Sequence, residues 1–421
     1  MTAILTLALK SLLNRKATAG LTVVSIALSV TLLLGVERIR TEAQNSFTST
    51  ISGTDLIIGA RSSPVQLLLY SVFRIGNASN NISWESYQDI AAQPSIEWTI
   101  PISLGDSHKG YRVMGTTPEY FTHFRYGRKQ PLEFDRGLPF ADLYDAVLGA
   151  EVAKQLGYEI GDRIVIAHGA GEVSFVEHSD KPFVVAGVLN PTGTPVDRTI
   201  HVSLEGIEAI HIDWQNSTMP VQGQTVSAEQ ARTMKLAPTQ ITAFLVKLKS
   251  PMATFGVQRF VNNYRHEPLS AILPGVALQQ LWEITGVAEK ALLAVSSFVV
   301  VVGMLGMLTA LLTSLNERRR EMAILRSIGA RPLHIFILII GEAMGITLLG
   351  LGLGVLMLYG LLIMVKPLVL SMFGFYLTIG AISAYEALLM GIIFLAGMII
   401  GIVPGWRIYR YSLVDGMTVR I

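Results

Sequence analysis

The chain has 421 residues, 51% of them hydrophobic and 15% charged, with a formal net charge of +2. That composition is too apolar for an ordinary soluble protein and too mixed for a wholly membranous one, while the near-neutral charge argues neither for nor against nucleic acid. Cysteine is absent, which excludes a disulfide framework, a thiolate metal site and a thiol nucleophile.

In chain order, residues 1–16 carry Leu5, Leu9, Leu12 and Leu13 on one helical face, with Lys10, Asn14 and Arg15 near the other. This is the pattern of an amphipathic helix lying on a membrane surface. Four apolar runs are long enough to cross a bilayer core of about 30 Å, which takes ~20 residues. They are Ala17–Val36, Val287–Asn316, Pro332–Val365 and Ala387–Trp406. The first is longer than a signal-peptide core, and no Ala-x-Ala site follows it, so it reads as an uncleaved anchor. Basic residues flank the runs unevenly. Lys10, Arg15 and Lys16 precede the first; Arg318, Arg319, Arg320, Arg326 and Arg331 separate the second from the third; Arg407, Arg410 and Arg420 follow the fourth. Residues 366–386 offer only Lys366. Positive charge marks the cytoplasmic side, so both termini and residues 317–331 are expected inside, with 37–286 and 366–386 outside. The expected fold class is an α-helical membrane protein with four transmembrane helices and a large α+β extracytoplasmic domain between the first two.

Residues 37–286 change texture, with Gly, Pro, Asn and Ser punctuating short runs. Strands are expected at Thr54–Gly59, Trp98–Leu104, Tyr111–Gly115, Arg163–Ala167, Phe183–Leu189, Thr199–Val202 and Ile241–Leu248. Helices are expected near Trp84–Ala92, Val147–Leu156 and Met252–Asn263, with a turn at Asn190-Pro191-Thr192-Gly193. We divide this region into a smaller unit, 37–98 and 238–286, and a β-rich insertion, 99–237. The stretch Tyr120–Tyr126 is expected to be a partly buried helix and turn.

Residues 317–331 form a crowded basic insert between the second and third runs. Ile324, Leu325 and Ile328 share one helical face, Gly329 sits where a helix end wants positive φ, and Pro332 sits where the next helix begins. The spans also carry small residues at packing intervals, among them Gly303, Gly306, Gly341, Gly345, Gly397 and Gly401, with Gly350 and Gly354 on the third. Some of this surface is expected at a dimer interface. At 1.5 Å per residue, Pro332–Val365 is about 50 Å long, so one end is expected to project from the bilayer. Glu342 is the one carboxylate in the third run; a proton relay is one reading, and an ion pair near the basic insert is the stronger.

The sequence carries no Gly-x-x-x-x-Gly-Lys-Ser/Thr phosphate loop, no His-Glu-x-x-His, no Gly-x-Ser-x-Gly and no Gly-rich dinucleotide loop after a strand. Seven of the eight histidines fall in 37–286. His201, His211 and Asp213 are the set a metal would draw on. Their spacing has no tight ligand pair, so no metal is expected and the histidines are read as surface residues.

Taken together, these motifs resemble the permease subunits of the MacB/FtsX superfamily of ABC transporters. The resemblance rests on Ala8 through Arg15, on Leu148-Gly149-Ala150-Glu151-Val152-Ala153 with Leu156-Gly157 and Gly161-Asp162, and on Glu317 through Arg326 with Gly329, Ala330 and Glu342. Pro404 and Ser412 through Met417 complete it, with Gly405 where the family often has alanine. It implies a homodimer working with two copies of a separate ABC ATPase, which would bind ATP and magnesium; this chain itself would need no cofactor and catalyse nothing. Glu317, Arg318, Arg320, Glu321, Ile324, Leu325, Arg326, Ile328 and Gly329 would form the coupling helix the ATPase pushes on. Further expected partners are a periplasmic adaptor or envelope protein and membrane lipids, with no nucleic acid. The implied location is the bacterial inner membrane. Two roles follow: ATP-driven export or extraction of a hydrophobic or envelope-associated molecule, or signalling that controls an envelope enzyme or senses a peptide.

Overall fold

The computed structural model describes residues 16–169, 176–213, 226–317, 327, 329–373 and 379–409. The N-terminal amphipathic stretch, most of the basic insert and the C-terminal tail lie outside these described residues. The chain separates into two compact units, one of Ala43–Thr285 and Val369–Tyr376, the other of Met1–Glu42, Gly286–Leu368 and Leu377–Ile421.

The first unit is built on a mixed sheet of twelve strands. Nine form its path: β1 (Leu56–Ala60), β2 (Ile96–His108), β3 (Tyr111–Thr116), β4 (Phe134–Gly137), β5 (Asp145–Leu148), β6 (Phe183–Leu189), β7 (Thr199–Ser203), β8 (Ala243–Leu248) and β9 (Leu269–Ile272). Their order is β9-β1-β8-β2-β3-β7-β5-β6-β4, with β7 parallel to β3 and β6 parallel to β5. The long strand β2 is the seam. Its first half, Ile96–Ile102, pairs with β8, and its second half pairs with β3, the register shifting between Leu104 and Ser107. Beside that shift the short strand Ala167–His168 pairs antiparallel with Ser107 and Asp106.

Serine caps start several short helices here. Ser63, Ser83, Ser203 and Ser227 each accept a backbone N–H from three residues ahead, satisfying donors that a helix start leaves open. Helix α2 (Leu204–His211) begins on Ser203 in this way.

The expected helix Val147–Leu156 is a strand followed by a shorter helix. Val147 and Leu148 belong to β5, and the helix covers only Ala150–Leu156. Gly149 divides them in extended backbone, where a Cβ would lie 2.2 Å from the Val196 carbonyl oxygen. Pairing to β6 and β7 on both edges outweighs the local helical periodicity. Strand β2 is longer than Trp98–Leu104, Arg163–Ala167 resolves into two short strands, and Phe183–Leu189 keeps its expected bounds.

Most of the second unit lies in four helices long and apolar enough to cross a membrane, found within residues 16–45, 274–315, 332–369 and 384–407, whose most apolar stretches reach a mean hydropathy of 2.2–2.5. They belong to α1 (Lys16–Ser49), α3 (Pro274–Glu317), α4 (Pro332–Phe373) and α5 (Ala384–Tyr409). Ile26, Val30 and Leu34 of α1, Met304 and Met307 of α3, Ile346 and Leu358 of α4 and Ile393 of α5 share one buried cluster.

Candidate functional site

Glycines let the four long helices approach closely. A Cβ on Gly303 would lie 2.9 Å from Ser29 Oγ, one on Gly350 2.6 Å from Ile26, one on Gly354 2.8 Å from Val30, one on Gly397 2.2 Å from Thr347 and one on Gly401 2.8 Å from Ala343. Hydroxyls add polar contacts at the same crossings. Ser29 donates to the Val299 carbonyl at 3.1 Å and Thr31 to the Gly354 carbonyl at 3.0 Å, as expected where small residues bring helix backbones together. Gly306 and Gly341 differ, since nothing among the described residues comes within 4 Å of a Cβ on either. Gly345 is half-buried on α4.

Glu342 is buried, 4% exposed, in the third turn of α4. With Thr18, Thr22, Thr313 and Ser314 it lines a cavity of ≈ 60 Å³. Of the expected coupling residues, Gly329 is described. It takes φ +100°, the left-handed conformation that glycine adopts at little cost, and α4 starts three residues later on Pro332. Glu317 is the last described residue of α3, while Arg318, Arg320, Glu321, Ile324, Leu325, Arg326 and Ile328 fall outside the described residues.

One constellation went unread in the sequence. Arg38 of α1 donates to both carboxylate oxygens of Glu386 at 2.9 and 3.1 Å, to the Ala381 carbonyl at 3.1 Å and to the Gly380 carbonyl. Both side chains are buried, 8% and 4% exposed. Ser383 caps α5 by accepting the Glu386 N–H at 3.1 Å, and Glu386 accepts the Ser383 N–H at 2.7 Å in return. Tyr359 of α4 donates to the Gly380 carbonyl at 2.8 Å. The segment leading into α5 is thus held by α1 and α4. The spacing Ser383-x-x-Glu386 is a capping-box signature and was the available signal.

The histidines are not uniformly at the surface. His201 is fully buried in β7 beside Tyr120 and Phe121, its Nδ1 3.2 Å from the Val147 carbonyl. Burial, reinforced by the nearby Arg74 charge, pushes it down to about 3. His108 and His178 are also buried, and burial pushes His178 down to about 4. Nor does the structure assemble His201, His211 and Asp213. Asp213 instead pairs with the buried Lys181 and accepts the Val226 N–H at 2.7 Å. His211 meets Asp106 and His168.

No curated protein matches the chain. Among solved structures, the periplasmic region of MacB from Actinobacillus actinomycetemcomitans is 11% identical, with a TM-score of 0.33 over 55% of this chain and 94% of that one. The extracellular domain of the noncanonic ABC-type transporter YknZ from Gram-positive bacteria is also 11% identical, with a TM-score of 0.30 over 52% of this chain and 99% of that one. Likenesses this weak leave the assignment to the family profiles. The MacB-like periplasmic core domain profile matches residues 19–258, and the FtsX-like permease C-terminal profile matches residues 293–413. The two succeed one another along a chain with four membrane-length helices, and the chain belongs to the MacB/FtsX-type ABC transporter permeases.

Proposed function

We propose that this membrane subunit passes work from a separate ATPase to the outer side of a bacterial inner membrane. In this reading both termini and residues 317–331 face the cytoplasm, and residues 37–286 face outward. Two copies of the chain associate with two ATPase subunits, which supply the ATP and magnesium chemistry. Closure of the ATPases pushes on Glu317–Ala330, and the helices carry that motion to the external domain. There it extracts or exports a hydrophobic or envelope-associated molecule.

The observation that supports this most is the form of α3 and α4 in a chain of this family. They are 44 and 42 residues long, so at 1.5 Å per residue each is about 65 Å, twice the ~30 Å of a bilayer core. Helices of that length act as stiff levers, and Gly329 with Pro332 sets the turn into the second. The absence of a phosphate loop from the sequence fits an ATPase on another chain.

The test is to purify the tagged chain in mild detergent and identify what accompanies it by mass spectrometry. Recovery of an ABC-type ATPase at one copy per chain supports the reading. A valine in place of Gly329, where φ is +100°, is then expected to leave membrane insertion intact and to lower substrate-stimulated ATP hydrolysis by ~10-fold or more, since β-branched residues resist that conformation. A stable dimer without an ATPase, or full activity in Gly329→Val, would defeat it.

A further inference from the structure

Three polar side chains from three separate elements converge in the sheet unit. Asp106 lies beside the register shift in β2, His168 is its cross-strand partner, and His211 is the last residue of α2. Asp106 Oδ1 stands 3.2 Å from His168 Nδ1 and 3.4 Å from His211 Nε2, and the two ring nitrogens are 3.3 Å apart. These atoms form a nearly equilateral triangle. A tetrahedral ion with bonds of ~2.0–2.1 Å holds its ligand atoms ~3.3 Å from one another, so one ion can reach all three corners at ordinary bond lengths.

The hydrogen bonding favours a cation in the same place. His211 Nδ1 faces the Ile207 carbonyl at 2.9 Å. A carbonyl only accepts, so Nδ1 carries the hydrogen and neutral His211 presents a lone pair on Nε2. Anchoring of the non-ligating nitrogen to a backbone carbonyl is the usual support for a ligand histidine. In that form the lone pair faces a carboxylate oxygen at 3.4 Å, a contact that either a proton on Nε2 or a bound cation relieves. A hydrogen on His168 Nδ1 can at best be shared between these acceptors, whereas a metal ion satisfies all three edges.

We propose that Asp106, His168 and His211 bind one divalent transition-metal ion, with solvent in the fourth position. Two imidazoles and one carboxylate suit zinc, and suit magnesium and calcium poorly, because those ions take oxygen ligands. Asp106 is 3% exposed and fixes the floor of the site; the His168 side chain is 56% exposed and gives the ion a way in. A metal needs the unprotonated nitrogen of each imidazole, so affinity falls as pH drops. The ion would tie β2, the Ala167–His168 strand and the end of α2 together. The open position marks an exchangeable ion rather than a closed structural one.

The test uses the full chain in detergent, purified without a polyhistidine tag, stripped with chelator and titrated with zinc chloride against a chromophoric competitor. The expected result is one zinc per chain at micromolar or tighter Kd, release of protons on binding, and a tetrahedral visible spectrum with cobalt(II). His168→Ala, at an exposed position, is expected to weaken zinc at least ~10-fold, the scale on which even supporting residues act. Asp106→Asn is expected to do the same, and His266→Ala, at an exposed position outside the triad, to change nothing. Absence of zinc binding in the wild-type chain, or equal affinity and stoichiometry in wild type and His168→Ala, would overturn the site and leave a hydrogen-bonded acid–imidazole cluster.

Discussion

Replacing Arg38 with Met should be among the most damaging single changes in the four-helix unit. The substitution keeps the volume but removes the donors to Glu386, Gly380 and Ala381. Gly380 retains the Tyr359 hydroxyl, and Glu386 retains the Ser383 N–H at 2.7 Å, but a carboxylate that is 4% exposed loses its counter-charge. Breaking a buried pair from one side costs about 3–5 kcal/mol; with the Ser383 bond kept, ~3 kcal/mol is expected. At 2–4 °C per kcal/mol for a unit of 150–250 residues, that lowers the Tm by about 6–12 °C. Thermal unfolding in detergent, followed by intrinsic fluorescence, reads this directly. Glu386→Leu alone should also destabilise, through the same lost pair and the lost capping box. The double variant should recover most of the loss, because no charge is then left buried. A Tm for Arg38→Met within 2 °C of wild type would refute this account, as would effects of the two substitutions that simply add.

Gly397→Val places a branched side chain where even a Cβ would meet Thr347 at 2.2 Å, and overpacking of this kind should cost ~1–3 kcal/mol in the same melt. At Gly306 and Gly341 a Cβ meets nothing described within 4 Å, so Gly306→Leu and Gly341→Leu should leave the fold intact; if these faces carry the dimer, cross-linking yield falls, and an unchanged dimer places the interface elsewhere. Because folded His201 is held at about 3 against an ordinary value near 6.5, the unfolded chain binds the extra proton between those limits. Its contribution is therefore complete above pH ~6.5 and falls by about 1.4 kcal/mol per unit as pH drops toward 3, or about 2 kcal/mol by pH 5. Urea titrations at pH 7.5 and 5 should show the loss, with His201→Gln less sensitive; equal losses in both proteins would contradict the assignment. In this cysteine-free chain, a cysteine at Ser179 should label from outside the cell membrane and one at Ser327 only from inside, and the reverse pattern would invert the proposed topology.

The four long helices were legible because about twenty consecutive apolar residues have few other uses. The left-handed backbone at Gly329 was legible because it depends only on that residue and its neighbours. Elements whose fate is settled by distant partners were not. Val147 and Leu148 read as helix by periodicity, yet strands on both sides claim them. Asp106, His168 and His211 lie 62 and 43 residues apart, and only sheet register and the placement of α2 bring them together. Arg38 and Glu386 are separated by 348 residues, so the pairing was invisible even though the Ser383-x-x-Glu386 cap could have been noticed. His201 looked like an exposed histidine because sequence alone does not show that Tyr120 and Phe121 close over it.

Strand β2 belongs to both halves of its sheet, giving its first seven residues to β8 and Ser103, Leu104, Ser107 and His108 to β3. Neither half can therefore lose this strand without stripping hydrogen bonds from the other. Slowly exchanging amides in β8 and in β3 should report the same opening free energy and respond alike to denaturant. An external load applied at either end of β2 would be shared along thirteen residues instead of peeling one layer from a separate neighbour.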